Sequence, residues 1–301
     1  MRVGAVDLGS NSTRLLVADV ENGSVREVER DLRITRLAEG VDTRRKLLPV
    51  AIARARNVLS DFRRTIERLE AERVLAVATS AVRDADNGEA FLGEIEWSYG
   101  FDTRLLSGDE EAATTFRGVT TGRPLEPGTL IVDIGGGSTE LIRADRHTSL
   151  DIGSVRLTER YGEDADAAGD YATSLLPDWE AADAIGVAGT ITSLAALDLR
   201  LAEYDPERVH GHRLSAAAVD EQLARLSALT VDQRRELPGL DPGRAPVIVA
   251  GTAILRAILR RYGLGSIDVS EHDLLYGVAL AAAELPARDD TGAPPGAFTC
   301  C

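Results

Sequence analysis

Residues 130–142 read LIVDIGGGSTELI, and the rest of the chain is organised around this stretch. Two short apolar runs flank a turn of glycines and a serine, which is typical of a β-hairpin. Gly135, Gly136 and Gly137 remove every Cβ from the turn, so a ligand can reach the backbone N–H groups directly. Asp133 and Glu140 lie on either side of the turn, and carboxylates suit a hard divalent cation. The stretch therefore predicts a hairpin that holds phosphate and metal together.

The same pattern occurs near the N-terminus. Residues 3–20 read VGAVDLGSNSTRLLVADV, and five positions agree in register with the first stretch. The matched pairs are Asp7 with Asp133, Gly9 with Gly135, Ser12 with Ser138, Thr13 with Thr139, and Leu15 with Leu141. A repeat at this domain-sized spacing predicts two related domains, and two facing hairpins would enclose a ligand between them. The alternative is that both are ordinary Asp-x-Gly turns.

Composition limits the class of protein. The 301 residues suffice for one large or two medium domains, and 44% hydrophobic with 28% charged residues is usual for a soluble globular protein. The net charge of −15 argues against non-specific nucleic-acid binding, although a locally positive cleft could bind a polyanion. No apolar run suggests a membrane span and no signal peptide is visible, so we expect a cytoplasmic protein. The two cysteines, Cys300 and Cys301, exclude a cysteine-based zinc site.

Further stretches place polar groups at the ends of predicted elements. Apolar residues recur at helical spacing over 47–69, and the apolar run at 74–78 predicts a buried strand. Arg83 follows that strand, where parallel sheets open into clefts, although a surface helix charge is an equal alternative. Ser107 and Glu110 have the spacing of a capping box, which leaves Glu111 without a structural role. A favourable charge at a helix start is the alternative for Glu111.

Two stretches end in a Gly-Thr pair. In residues 185–194 a short strand enters a helix at Gly189 and Thr190, which offers an N-terminal anion site. Residues 247–252, VIVAGT, repeat the pattern weakly, so we predict a short strand there too. Either one alone would be a common strand-to-helix turn.

The histidines show no metal-ligand or nucleophilic arrangement. The spacing of His210 and His212 could bind a metal, but no cysteine or further histidine lies near them in the sequence. His147 and His272 are also isolated. We therefore expect no histidine-based metal site.

A Pro/Gly-rich break at 123–128 separates the two hairpins. It predicts a first domain over residues 1–123 and a second over 124–285. The polar segment at 286–301 is predicted to be a disordered tail.

Five ordered motifs together resemble the exopolyphosphatase / guanosine pentaphosphate phosphatase (Ppx/GppA) family, a branch of the actin-like ATPase superfamily. They are DxGSNS at 7–12, ATSAVR at 78–83, SGxEEA at 107–112, DIGGGSTE at 133–140 and GT at 189–190. The segments at 210–215 and 270–273 are similar to those of short, two-domain exopolyphosphatases of actinobacterial type. The resemblance implies an α/β fold of two ribonuclease-H-like domains with an interdomain cleft.

The resemblance also implies an enzyme, a phosphoanhydride hydrolase that releases orthophosphate from the end of inorganic polyphosphate with the help of Mg²⁺ or Mn²⁺. Glu111 would orient and deprotonate the attacking water, and Asp133 and Glu140 would be the metal-associated carboxylates. The implied phosphate-binding residues are Asn11, Ser12, Arg83, Gly135, Gly136, Gly137, Ser138, Gly189 and Thr190. A homodimer is a further expectation from the family, with no nucleic-acid or membrane partner.

Three other functions stay open at this stage. Hydrolysis of the 5′-phosphate of guanosine pentaphosphate, a nucleotide of the stringent response, would use the same site. A phosphate- or nucleotide-sensing protein without turnover is disfavoured because Glu111 and Asp133 are both present. A small-molecule kinase would need an adenosine pocket in the second domain.

Overall fold

The computed structural model describes residues 1–121 and 124–286, and these residues form two compact units. The first unit contains Met1–Ser107 together with the described residues from Leu274 onward, and the second contains Gly108–Asp273. Each unit is built on one mixed β-sheet flanked by helices.

The first unit has a five-stranded sheet in its described part. Its strands are β1 (Arg2–Leu8), β2 (Ser12–Glu21), β3 (Ser24–Ile34), β4 (Arg73–Ala78) and β5 (Asp102–Leu105), in the order β3-β2-β1-β4-β5. The first three pair antiparallel as consecutive hairpins, whereas β4 and β5 continue the sheet parallel to β1. The helices between these strands are α1 (Val41–Arg44), α2 (Pro49–Arg68), α3 (Ser80–Arg83) and α4 (Gly88–Tyr99).

The helix predicted over 47–69 is confirmed as α2. Its buried residues are Ala51, Ala55, Leu59, Phe62 and Ile66, spaced three or four apart. This spacing places them on one face, as an amphipathic helix requires. Pro49 is the first helical residue, where the missing N–H costs nothing.

The described residues of the second unit form a six-stranded sheet. Its strands are β6 (Thr129–Ile134), β7 (Thr139–Ile142), β8 (His147–Leu150), β9 (Asp183–Val187), β10 (Arg213–Ser215) and β11 (Ser266–Val269), in the order β10-β11-β9-β6-β7-β8. Its helices are α5 (Gly108–Val119), α6 (Ser154–Tyr161), α7 (Ala165–Leu175), α8 (Ala188–Asp198), α9 (Pro206–Val209), α10 (Ala216–Ser227), α11 (Val231–Arg235) and α12 (Ile248–Arg261).

The two sheets repeat one topology. The order β8-β7-β6-β9-β11 reproduces β3-β2-β1-β4-β5, with three antiparallel strands followed by two parallel ones, and β10 is added at the edge. This is the ribonuclease-H-like arrangement, present once in each unit. The predicted α/β fold of two related domains is therefore confirmed.

Each unit contains one helix that directly follows a strand of the other unit in the sequence. Helix α5 follows β5 in sequence but packs on β7 and β8, where Ala112 and Val119 join the cluster around Ile131 and Ile142. The predicted division at 123 and 124 assigns this helix to the first domain, whereas the compact units divide after Ser107. The apolar face of α5 decides its place, because it has its partners on the second sheet.

The last helix, α13 (Leu274–Ala283), makes the reverse connection. It follows β11 but packs on β1, β2 and β4, where Leu275 and Val278 lie in one cluster with Val3 and Leu16. The prediction placed these residues in the second domain, whereas they lie in the first unit. Most of the predicted tail, with both cysteines, lies outside the described residues, and so does Arg123 at the predicted boundary.

The prediction of a strand at 247–252 is wrong, because residues 248–252 are the first five residues of α12. An apolar run that is buried on all sides shows no period, so it fits a core helix as well as a strand. Within the described ranges, no helix is long and apolar enough to cross a membrane.

Candidate active site

The stretch that organises the sequence is the β6–β7 hairpin. Asp133 pairs with Glu140 and Ile134 with Thr139, and the N–H of Gly135 closes the turn on the carbonyl of Ser138 at 3.0 Å. Strand β9 runs parallel to β6, so the hairpin turn and the loop after β9 lie at the same edge of the sheet. The predicted hairpin is thus present, with its glycines at the carboxyl end of β6.

The carbonyl groups of the glycine turn are held by the start of α6. Gly135 accepts from Ser154 N at 3.0 Å, Gly136 from Val155 N at 2.8 Å, and Gly137 from Arg156 Nε at 2.8 Å. In a trans peptide the C=O and the following N–H point in opposite directions. The N–H groups of residues 136–138 therefore point away from α6, as phosphate binding requires.

Gly153 makes this contact possible. A Cβ on Gly153 would lie 2.3 Å from the carbonyl oxygen of Gly136, closer than any real contact. The position must therefore be glycine for α6 to reach the turn. Sequence reasoning missed this role; the signal was a glycine directly before a helix start.

Asp133 and Glu140 are both buried, at 7% and 0% exposure. They face one another across the strand pair, where Cβ atoms are about 4.5–5.5 Å apart. Asp133 Oδ2 accepts from the Thr115 hydroxyl at 3.1 Å, and Glu140 Oε1 accepts from the Ser149 hydroxyl at 2.7 Å. Two opposed carboxylates repel one another, so this pair favours a bound cation.

Glu111 lies in the first turn of α5, as the predicted helix start requires, and is 8% exposed. The partial positive charge of a helix N-terminus favours a carboxylate there. Thr115 follows one turn later on the same helix face and bonds Asp133. The structure therefore brings Glu111 to the side of the sheet that carries the two opposed carboxylates.

The β1–β2 hairpin of the first unit repeats the turn. Gly9 N donates to Ser12 O at 3.0 Å, the same bond as in the second hairpin. The carbonyl of Ser10 accepts from Ala38 N at 2.9 Å, and the carbonyl of Asn11 accepts from Thr35 N at 3.0 Å. The N–H groups of Asn11 and Ser12 therefore point away from the segment that holds these carbonyls.

Arg83 lies at the same edge of the first sheet. Leu8 and Ala78 are paired at the carboxyl ends of the parallel strands β1 and β4, and α3, which ends in Arg83, follows β4 after one residue. Its Nη1 donates to Leu106 O at 2.7 Å. The structure thus brings Arg83 to the edge that also carries Asn11 and Ser12.

The charge pattern differs between the two hairpins. Asp7 pairs with Arg14 across β1 and β2, and Arg14 Nε and Nη2 both lie 2.8 Å from Asp7 Oδ2. Arg14 occupies the position that corresponds to Glu140 in the repeat. The first hairpin therefore neutralises its aspartate across the strand pair, whereas the residue opposite Asp133 in the second hairpin is a carboxylate.

The predicted Gly-Thr turn joins β9 to α8. Ala188 adopts a left-handed conformation with φ of 67°, and Gly189 follows it. A Cβ on Gly189 would lie 1.5 Å from Arg244 Nη1, so the guanidinium occupies the space beside the glycine. Thr190 is buried against Gly251 of α12, where a Cβ would lie 2.6 Å from its Oγ1. The loop therefore combines a helix N-terminus with an arginine.

Tyr204 and Glu271 lie close to this loop. The Tyr204 hydroxyl donates to Glu271, and it is also hydrogen-bonded to Thr192 of α8. Although 45% of Tyr204 is exposed, burial at its hydroxyl end and the charge of Glu271 raise the pKa of the phenol. Tyr204 is therefore a neutral donor at physiological pH.

The residues present fit a divalent cation such as Mg²⁺ if two carboxylates are its only protein ligands. Over residues 1–121 and 124–286 no group of three or more His, Cys, Asp or Glu side chains is arranged as a metal site. Mg²⁺, however, usually binds through one or two carboxylates and keeps waters or substrate phosphates as its other ligands. Asp133 and Glu140 supply that number of carboxylates.

The sequence profile of the Ppx/GppA phosphatase family matches residues 16–284. The chain belongs to the Ppx/GppA phosphatase family. The predicted family is thereby confirmed.

Individual Ppx/GppA proteins resemble this chain over most of its length. Exopolyphosphatase 2 of Mycobacterium tuberculosis is 36% identical, with 94% of this chain and 98% of that protein covered. The guanosine-5′-triphosphate,3′-diphosphate pyrophosphatase of Aeromonas hydrophila is 30% identical, with 95% of this chain and 61% of that protein covered. The crystal structure of an exopolyphosphatase from Cytophaga hutchinsonii is 25% identical, covers 96% of this chain and 100% of its own, and has a TM-score of 0.85.

The sequence suggested that the histidines are isolated, but in the structure each of them contacts another side chain. His210 and His272 are in ring contact at 4.7 Å, His212 Nε2 lies 2.7 Å from Asp198 Oδ2, and His147 Nε2 lies 3.3 Å from Asp109 Oδ1. The contacts join segments distant in sequence, which spacing alone does not reveal. Within the described ranges they form no metal site.

Proposed function

We propose that this protein is a divalent-metal-dependent exopolyphosphatase, which hydrolyses the terminal phosphoanhydride bond of inorganic polyphosphate and releases orthophosphate. The observation that carries the proposal is the opposition of the buried Asp133 and Glu140 beside a turn whose carbonyl groups at residues 135–137 are held by the start of α6, which turns the N–H groups of residues 136–138 the other way. Family membership and similarity to a protein named exopolyphosphatase support it.

In this proposal the chain supplies phosphate-binding groups, a general base and two metal-associated carboxylates, and the phosphate-binding groups lie on both units. The N–H groups of residues 136–138, with the Ser138 hydroxyl, bind non-bridging oxygens of the terminal phosphate. Asn11, Ser12 and Arg83 on the first unit, and Gly189 and Thr190 on the second, bind further phosphate oxygens. Phosphoryl transfer depends mainly on such positioning and charge stabilisation.

Glu111 acts as the general base. Its carboxylate accepts a proton from the attacking water, whose oxygen forms a bond to the terminal phosphorus as the anhydride bond breaks. The shortened polyphosphate leaves as the anion, and orthophosphate is the second product. A cation held by Asp133 and Glu140 would offset the negative charge that grows on the leaving phosphate.

A second candidate is hydrolysis of guanosine pentaphosphate at its 5′ end. The similarity to the Aeromonas hydrophila enzyme favours it, and the same groups would serve. The predicted cytoplasmic location and homodimer stay predictions.

Phosphate release separates these functions. The purified protein would be assayed with Mg²⁺ or Mn²⁺ on polyphosphates of graded length, with guanosine pentaphosphate and ATP as comparators. An exopolyphosphatase shows its highest kcat/KM on polyphosphate, and we expect short chains to be preferred. Turnover of guanosine pentaphosphate alone would support the second candidate, and no turnover of any substrate would refute both.

A further inference from the structure

The hydroxyl of Thr115 is used in an unusual way for a helix residue. Threonine hydroxyls inside helices commonly bond the carbonyl one turn back, and Thr114 does so with Glu110 O at 2.6 Å. Thr115 is completely buried, and its hydroxyl goes instead to Asp133 Oδ2 at 3.1 Å. A side chain of α5 thus holds one of the two opposed carboxylates.

Ser149 does the same for the other carboxylate. It lies opposite Glu140 on the β7–β8 pair, and its hydroxyl donates to Glu140 Oε1 at 2.7 Å. The same serine lies against the first residue of α5, since a Cβ on Gly108 would be 2.5 Å from the Ser149 Cβ and 2.8 Å from its Oγ. Gly108 must be glycine for the helix start to approach this strand.

These two contacts place Glu111 between them. Gly108 lies three residues before Glu111 and Thr115 lies four residues after it, so the three share one helix face. The face is attached to the hairpin sheet at its first residue through Ser149 and two turns later through Thr115. A third contact, from Asp109 to His147 on β8, adds to the attachment at the helix start.

We propose that Thr115 and Ser149 are positioning residues, which fix Asp133 and Glu140 in orientation and in place relative to Glu111. The inference rests on the proposed function, because it takes those three residues as the base and the metal-associated carboxylates. A hydroxyl that donates to a carboxylate oxygen favours one orientation of that carboxylate, so Thr115 and Ser149 would hold Asp133 and Glu140 in fixed orientations. Loss of such an outer partner typically lowers metal affinity or activity about 10–100-fold.

The test compares Thr115→Val with Thr115→Ser. Valine keeps the volume and removes the hydroxyl, whereas serine keeps the hydroxyl and removes the methyl group. Mn²⁺ binding would be followed by electron paramagnetic resonance without substrate, and kcat and KM for polyphosphate would be measured separately. The matched control is Thr114→Val, which removes a hydroxyl that bonds only its own helix.

We expect Thr115→Val to weaken Mn²⁺ binding by about tenfold or more and to lower kcat more than it raises KM. Thr115→Ser and Thr114→Val should bind Mn²⁺ like the wild type. A purely structural role for Thr115 predicts the reverse order, with valine tolerated and serine impaired. Wild-type Mn²⁺ affinity in Thr115→Val would overturn the inference for this residue.

Ser149→Ala provides the second arm, and it carries the test if Thr115→Val does not fold. The expected result is again weaker Mn²⁺ binding, with Thr148→Val on the same strand as the control. Unchanged Mn²⁺ affinity in Ser149→Ala would overturn its assignment. Failure of the proposed function is a separate result, namely no phosphate release by the wild type, whereas Mn²⁺ binding needs no turnover.

Discussion

Asp133 lies directly opposite Glu140 in the second hairpin, whereas Asp7 lies directly opposite Arg14 in the first. Both hairpins therefore carry an aspartate at this position, but the residue opposite it is negatively charged in one and positively charged in the other. In the first unit the aspartate forms an internal ion pair, and in the second two buried carboxylates oppose one another. This difference explains why the proposed cation belongs to the second hairpin.

Replacement of Glu111 tests the proposed base. A glutamic-acid general base typically contributes about 10²–10⁴-fold, so Glu111→Gln should lower kcat by roughly that factor and leave the fold intact. Glu110→Gln changes an exposed carboxylate in the same helix turn and is the matched control. Phosphate release and circular dichroism on both variants measure the outcome, and near-full activity of Glu111→Gln would refute its assignment.

Replacement of Glu140 tests the opposed carboxylates. Glu140→Gln removes one of two repelling charges, so in EDTA the variant should unfold at the same or a higher denaturant concentration than the wild type. Saturating metal at a hundred times Kd should stabilise the wild type by about 2.7 kcal/mol, and the variant by clearly less.

Chemical denaturation with EDTA or Mn²⁺ measures this difference. Asp170→Asn changes an exposed carboxylate of the same unit and should keep the full response to metal. An equal response to metal in Glu140→Gln and the wild type would mean that Glu140 does not contribute to the cation site.

Replacement of Arg14 tests the internal pair of the first hairpin. Arg14→Met leaves the buried Asp7 without its main counter-charge, so we expect a loss of about 3–5 kcal/mol in the free energy of unfolding. The control is Arg33→Met on β3, where the pair with Asp31 is more exposed than the Arg14–Asp7 pair and should be worth about 0–1 kcal/mol. Urea denaturation compares them; equal effects would show that burial does not distinguish the two pairs.

Replacement of Gly189 tests the second phosphate loop. Gly189→Ala puts a methyl group where the Arg244 guanidinium lies, and the flexible end of the arginine can move away. The fold should persist, because alanine is favoured over glycine in a helix by about 1 kcal/mol. KM for polyphosphate should rise.

Arg244→Met tests whether Gly189→Ala acts through the Arg244 guanidinium. If displacement of the guanidinium causes the effect, Arg244→Met should raise KM similarly, and the double variant should be little worse than either single one. Strictly additive losses would show that Gly189 and Arg244 act independently.

Much of the fold was predictable because its signals are local. The glycine-rich turns predicted the hairpins, the amphipathic spacing predicted α2, and the five-position repeat predicted two related domains; the structure confirms each. The apolar run at 247–252 carried no such period, and it forms a helix. The role of Thr115 was not predictable, since it depends on a contact with Asp133 on another element.

The sequence alone determined the turn chemistry, the repeat and the family, because these depend on residue types at fixed short spacings. Only the tertiary structure decided that α5 packs on the second sheet and α13 on the first, since each helix packs on a sheet other than that of the strand before it in the chain. Strand register likewise decided that Arg14 faces Asp7 and that Glu140 faces Asp133. A slip of one residue would turn these side chains to the other face of the sheet, so their opposition is a property of the folded ladder.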